Sequence, residues 1–220
     1  MGGKLNAARK ALEFVKDGMV VGLGSGSTSE IFIKLLGRKV GGEKLKIVCV
    51  PTSVRSEKVA RKAGLVVRGF KEVERADLAV DGADQVDAGR NLIKGYGGAL
   101  LREKLVDCAA KRFIVIVDES KLTECLGGWV PLEVQPSEAE GIVRGFGAMH
   151  LKARVRMKRG KKFVTDNGNS IVDVYFEVIV NPGRLDELLR GVPGVIETGL
   201  FIGDMWRVIV GSESGVRLLG

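Results

Sequence analysis

The chain has 220 residues, 45% of them apolar, enough for one large domain or a domain with a smaller companion and too many for a disordered chain. No apolar run approaches the ~20 residues of a membrane span, and the opening residues lack the long apolar stretch of a secretory signal, so a soluble, cytoplasmic protein is expected. The net charge of +8 admits nucleic acid or an anionic small molecule as partner. Three widely spaced cysteines (Cys49, Cys108, Cys125) and a single histidine, His150, argue against a disulfide framework or a zinc site.

Leu5, Ala8, Leu12 and Val15 repeat at helical spacing, and Gly18 ends that helix before a short apolar strand at 19–23. A helix at 29–36, a strand at 47–50 and a helix at 53–63 closed by Gly64 follow. Residues 65–67 and 78–80 read as strands, 100–110 as a helix and 113–117 as an unbroken apolar strand. Strands apolar on both faces, alternating with helices, predict a doubly wound, mostly parallel α/β sheet of Rossmann-like kind. The pattern changes near Pro131. A helix at 138–149, strands at 151–158, 162–166 and 171–178, a helix at 184–190 and a strand at 195–198 predict a smaller inserted α+β subdomain. Asp166-Asn167-Gly168-Asn169 is a hairpin signal between the second and third of those strands. The expected division is 1–130 plus 204–220 for the first unit, with its last strand at 206–210, and 131–203 for the second. Trp129 and Trp206 are candidates for buried positions.

Four polar motifs follow candidate strands, which suggests that all four converge at one sheet edge, where open α/β sheets bind ligands. Gly22-Leu23-Gly24-Ser25-Gly26-Ser27-Thr28 joins a strand to a helix. Its glycines let the backbone turn sharply, its hydroxyls are donors, and the helix presents its positive end, as an anionic phosphate requires. It is neither a Walker A loop nor a G-x-G-x-x-G fingerprint, which disfavours a nucleotide. Asp81-Gly82-Ala83-Asp84 places two carboxylates where both can reach a polyhydroxylated ligand and one can shuttle a proton. Lys94-Gly95-Tyr96-Gly97-Gly98 sets a lysine before a glycine-rich bend, and Glu103 stands about one turn into the next helix, on a different face from Arg102 and Lys104. Asp118-Glu119-Ser120-Lys121 offers a lysine to an anion. A plainer reading exists for each: a helix cap, a turn aspartate, a solvated helix charge, a surface lysine.

Taken together these residues resemble type A ribose-5-phosphate isomerase. The motifs are Gly24-Ser25-Gly26-Ser27-Thr28, Val80-Asp81-Gly82-Ala83-Asp84, the run from Lys94-Gly95-Tyr96-Gly97 to Arg102-Glu103-Lys104, and Val117-Asp118-Glu119-Ser120-Lys121. Pro131-Leu132-Glu133-Val134, Thr165-Asp166-Asn167-Gly168-Asn169 and Gly199-Leu200-Phe201 extend the similarity along nearly the whole chain. Tyr96, in a stretch that is usually all glycine, and Gln85, where a glutamate often stands, depart from the pattern. The resemblance implies interconversion of D-ribose 5-phosphate and D-ribulose 5-phosphate without metal or coenzyme, in the pentose phosphate pathway. It implies Glu103 as the proton acceptor, with Lys94, Asp81 and Asp84 completing the catalytic set. Substrate contacts would come from Ser25, Gly26, Ser27, Thr28, Asp81, Gly82, Ala83, Asp84, Lys94, Gly95, Tyr96, Gly97 and Lys121. It further implies a homodimer or homotetramer. A sugar-phosphate sensor on the same fold is the alternative, although a sensor has no need of Glu103 with Lys94. No membrane or nucleic-acid partner is expected. Lys152, Arg154, Arg156 and Lys158 alternate with apolar residues, which predicts one solvated basic face of a strand.

Overall fold

The computed structural model describes residues 2–203 and 207–220. In chain order the elements are α1 (Gly2–Ala11), β1 (Val20–Leu23), α2 (Ser27–Glu43), β2 (Val48–Pro51), α3 (Val54–Lys62), β3 (Leu78–Asp81), β4 (Gln85–Val86), β5 (Leu92–Ile93), α4 (Leu100–Ala109) and β6 (Phe113–Asp118). There follow β7 (Leu126–Val134), α5 (Ala139–Ala148), β8 (Ala153–Val155), β9 (Met157–Lys158), β10 (Lys161–Lys162), β11 (Ser170–Ile179), α6 (Pro182–Arg190), β12 (Val195–Thr198), β13 (Leu200–Phe201), β14 (Arg207–Gly211) and β15 (Val216–Leu219). The chain divides into two compact units: Met1–Ala83, Arg102–Lys121 and Asp204–Gly220 in the first, Asp84–Leu101 and Leu122–Gly203 in the second.

The first unit is built on a six-stranded sheet in the order β15-β14-β6-β3-β1-β2, parallel except for the edge strand β15. Strand residues alternate between its faces. Val21, Leu23, Leu78, Val80, Ile114, Ile116 and Ile209 join Ala7, Ala8, Phe32 and Ile33 of α1 and α2 in one core. On the other face, a Cβ at Gly22 would lie 2.7 Å from Val106 of α4, so glycine there lets α4 approach. Helices thus cover both faces, as an all-apolar parallel sheet demands. The chain leaves β1 toward β2 on one side and reaches β3 on the other, so the switch point falls between β1 and β3.

The second unit carries an antiparallel sheet, order β12-β7-β11-β8, with α5 and α6 as its crossovers, which is the ferredoxin-like arrangement. Val130, Leu132, Val134, Val172 and Val174 pack against Ile142, Phe146 and Leu189 of these helices. Asn181 caps α6, its side chain accepting from the Arg184 N–H, with Pro182 in the first turn. A small sheet, β13-β5-β4, completes the unit.

Several local expectations change. The second unit begins at Leu122 rather than 131 and also takes in Asp84–Leu101, and Pro131 lies within β7 instead of before it. The Pro131 carbonyl accepts from the Gly199 N–H at 2.7 Å, so the donor that proline lacks falls where β12 has ended. The second helix runs 17 residues through Gly37, Gly41 and Gly42. The strand expected at 65–67 is a single bridge from Val67 to Cys49, and the hairpin at 166–169 is closed by one bridge, Val164 to Ser170. Trp129 is half-buried, edge-on to Tyr175 at 5.3 Å, while Trp206 lies outside the described residues. The strand expected at 206–210 runs beside β6 from Arg207.

Cys49 lies inside the first core, and burial pushes its thiol up to about 12, whereas Cys108 and Cys125 are exposed. The thiolate is the reactive form. In the native chain at pH 8 a thiol reagent is expected to label Cys108 and Cys125 within minutes and to label Cys49 only after denaturation. Mass spectrometry of the labelled peptides checks this.

Candidate active site

Asp81, at the end of β3, is fully buried. Its Oδ1 accepts from the Ser25 N–H at 2.8 Å, the Ser29 hydroxyl at 2.9 Å and the Gly82 N–H at 2.7 Å. Several donors on one carboxylate oxygen offset the cost of burying it. Gly24 lies against this group: a Cβ there would stand 1.8 Å from Asp81 Oδ1. The contact sits at the switch point between β1 and β3.

From Gly24 the chain enters α2. Gly26, at φ 106°, is its cap residue, and Ser27 and Thr28 form its first turn, whose N–H groups point out of the helix end. Gly26 and Ser27 are exposed and Thr28 is buried. Ser25 Oγ meets Thr52 Oγ1 at 2.8 Å and Ser53 Oγ at 2.7 Å, a hydroxyl trio at the ends of β1 and β2. Ser53 also caps α3 through a capping box with Ser56.

Lys4, on α1, donates to Ser27 Oγ at 3.0 Å and lies 3.9 Å from Asp118. Asp118 is pushed up by partial burial, yet hydrogen bonds from Ser120 and the charges of Lys4 and Lys121 hold it below the ordinary carboxylate range. Lys4 therefore stands at the exposed first turn of α2, and Lys121 acts on Asp118. Glu103, on α4, is 4% exposed, and Asp107, one turn further on the same face, is 1% exposed. Lys104, expected on a different face from Glu103, is itself buried.

The second unit holds Asp84, Lys94, Gly95, Tyr96 and Gly97. Lys94 follows β5 and is 2% exposed. Its N–H donates to the Gly199 carbonyl at 2.9 Å, and its Nζ lies 5.3 Å from the centre of the Phe201 ring. A Cβ at Gly199 would stand 2.4 Å from the Lys94 carbonyl, so Gly199-Leu200-Phe201 forms the bed of this lysine. Gly95, at φ 99°, turns the chain, and the Tyr96 N–H donates to Asp84 Oδ2 at 2.9 Å. The Tyr96 hydroxyl donates to the Trp129 carbonyl at 3.1 Å. Burial above all, with the charges of Asp84 and Asp173, raises the Tyr96 phenol despite Arg156, so it stays a donor.

Three of the four motifs, after β1, β3 and β6, thus share the carboxyl edge of the first sheet. The Lys94 motif follows β5, which pairs with β4 and β13 in the second unit. Among the described residues no group of three or more His, Cys, Asp or Glu side chains is arranged to hold a metal, and no helix is long and apolar enough to cross a membrane.

The profile of ribose 5-phosphate isomerase A (phosphoriboisomerase A) matches residues 48–215. The chain belongs to this family. It is 45% identical to ribose-5-phosphate isomerase A of Methanothermobacter thermautotrophicus over 98% of this chain and 96% of that protein. It is 46% identical to the Archaeoglobus fulgidus protein over 99% and 98%. Among solved structures it is similar to a D-ribose-5-phosphate isomerase in complex with phospho-erythronic acid, at 43% identity and TM-score 0.94, covering 98% of this chain and 96% of that one. The Methanocaldococcus jannaschii ribose 5-phosphate isomerase A gives 40% identity and TM-score 0.93, over 98% and 97%.

The two departures from the isomerase pattern have local accounts. Gln85 donates to the Gly127 carbonyl at 2.7 Å and accepts from its N–H at 3.1 Å, a pairing that needs both halves of an amide. Tyr96 is held by Trp129. Sequence reasoning missed Lys4, Ser29, Thr52, Ser53 and Asp107. Thr52-Ser53 follows an apolar strand and was open to the same inference as Ser25. Lys4 has no local signal, since its partner Ser27 lies 23 residues away.

The Gly24–Asp81 contact makes Gly24→Ala a test of the site's frame. The added methyl forces Asp81 or the loop to move, an overpacking cost of about 1–3 kcal/mol. The expected result is a thermal midpoint lower by roughly 2–12 °C, read by circular dichroism, with no loss of helix content below the transition.

Proposed function

We propose that the chain interconverts D-ribose 5-phosphate and D-ribulose 5-phosphate through an enediolate, with Glu103 as the base. The observation that carries this reading is the burial of three ionisable side chains, Asp81, Lys94 and Glu103, each at most 4% exposed, in a chain of this family. Ionisable groups are rarely buried without a task, and burial places a base in the dry surroundings where proton abstraction from carbon is feasible.

The reaction moves one proton from C2 to C1 and a second from the C2 hydroxyl to the C1 oxygen. Glu103 takes the first from C2 of the aldose and returns it to C1. Negative charge develops on the sugar oxygen, and the Lys94 ammonium stabilises it, worth roughly 3 kcal/mol by comparison with oxyanion donors. The phosphate is held by Ser25, Gly26, Ser27 and Thr28 at the start of α2, with Lys121, and Lys4 adds a second cation there. Gripping the phosphate fixes the reacting carbons relative to the base. Gly82 and Ala83, small residues, let the sugar approach the backbone, as Gly95 and Gly97 do beside Lys94. Asp84, partly exposed, is the better carboxylate for moving hydroxyl protons during ring opening. Asp81, with three donors on one oxygen, serves the loop. By the same resemblance the chain works in the cytoplasm as a homodimer or homotetramer, with no nucleic-acid or membrane partner.

Purified chain assayed for ribose 5-phosphate conversion in EDTA is expected to turn over at an undiminished rate. Absence of turnover in the folded chain contradicts the isomerase reading, and a requirement for added metal contradicts the mechanism. Glu103→Gln is expected to bind substrate with little change and lose at least ~100-fold in kcat. Near-normal kcat removes Glu103 from the role of base.

A further inference from the structure

Arg156 differs from its neighbours in the basic row. Lys152, Arg154 and Lys158 are exposed and lie over the rings of Tyr175, Trp129 and Phe163 at 5.7, 4.1 and 5.4 Å. The Arg156 side chain is only 15% exposed and is forked onto Asp173, whose side chain is 6% exposed. Its Nε reaches Asp173 Oδ2 at 3.0 Å and its Nη2 reaches Oδ1. The remaining nitrogen, Nη1, donates to the Gly95 carbonyl at 2.9 Å and the Tyr96 carbonyl at 3.2 Å. The expected solvated basic face is therefore broken at this residue, because a buried carboxylate and two backbone carbonyls claim the guanidinium.

The peptide plane between Gly95 and Tyr96 is the point of interest. Its carbonyl faces Arg156, and its N–H donates to Asp84 Oδ2 at 2.9 Å. Turning the plane breaks both bonds at once. Lys94 precedes it directly, and Gly95, at φ 99°, supplies little rigidity of its own. A planar guanidinium can hold a carboxylate and two carbonyls together, which a lysine ammonium at the same place cannot do in that geometry.

We infer that Arg156 is a positioning residue for the isomerisation, orienting the Gly95–Tyr96 peptide and through it Asp84 and Lys94. Asp173 holds the guanidinium in place. The role in turnover rests on the reading given under Proposed function. The orientation of the loop does not.

Arg156→Lys keeps the charge opposite Asp173 and is compared with the parent chain by two measurements. Hydrogen exchange of the Tyr96 amide, followed in peptides spanning residues 94–98, is expected to quicken at least ~10-fold. The kcat for ribose 5-phosphate is expected to fall at least ~10-fold with KM within about threefold, the mark of displaced catalytic groups rather than lost binding. Arg154→Ala, which removes a neighbouring charge, is expected to leave both unchanged. Unchanged exchange in Arg156→Lys overturns the inference, as does faster exchange with kcat within about twofold of the parent. If the parent does not isomerise ribose 5-phosphate, the functional reading fails while exchange alone decides whether Arg156 orients the loop. If Arg156→Lys does not fold, Asp173→Asn, which retains the guanidinium beside a neutral partner, is read by the same two measurements and the same criteria.

Discussion

The carboxylate of Asp81 and the missing side chain of Gly24 meet where β1 and β3 diverge. A Cβ at Gly24 would overlap the carboxylate. The glycine therefore admits the aspartate, and the aspartate, through the Ser25 N–H and the Ser29 hydroxyl, sets the course of the chain into α2. The direction of that helix end, and the anion-attracting first turn it presents, depend on this one contact. The neighbouring hydroxyls of Thr52 and Ser53 close on Ser25 from the adjacent strand, so three consecutive strand ends are tied by polar bonds at the sheet's carboxyl edge.

The second unit reaches a comparable order by different means. Its polar residues lie on a short strand and a glycine-rich bend, which have little intrinsic stiffness. Rigidity comes from outside the segment. Gly199 pairs with both Lys94 and Pro131, Phe201 lies beside the ammonium, and Trp129 receives the Tyr96 hydroxyl. Arg156, held by Asp173, grips the bend by its carbonyls. A buried ion pair of this kind is weak evidence for stability, since desolvation opposes it, and orientation of a neighbouring backbone is a use that justifies retaining one.

The alternation of apolar strands with helices made the first sheet legible, because a parallel sheet covered on both faces leaves a continuous apolar imprint on each strand. The motifs after β1, β3 and β6 were legible for the same reason: they sit directly behind such imprints. The boundary near Pro131 was misplaced. Proline is usually excluded from central strands, and only the ending of β12 beside it makes this position tolerable. The row from Lys152 to Lys158 had a correct period but a wrong uniform reading, since period reports which face a residue shares and not what lies opposite it.

What the chain's residues determine by themselves is the order of the longer strands and helices, the two unit types, the glycine and hydroxyl chemistry of residues 24–28, and the motifs by which the family is recognised. These are local in sequence, so propensity and periodicity record them. Tertiary structure alone decided that Glu103 and Asp107 are buried, that Lys4 reaches Ser27, and that Arg156 serves the bend after Lys94 rather than solvent. Each depends on groups brought together by folding; the Arg156–Gly95 bond, for example, spans 61 residues. A solvated helix charge and a buried carboxylate have the same local sequence, and only the packing around them distinguishes the two.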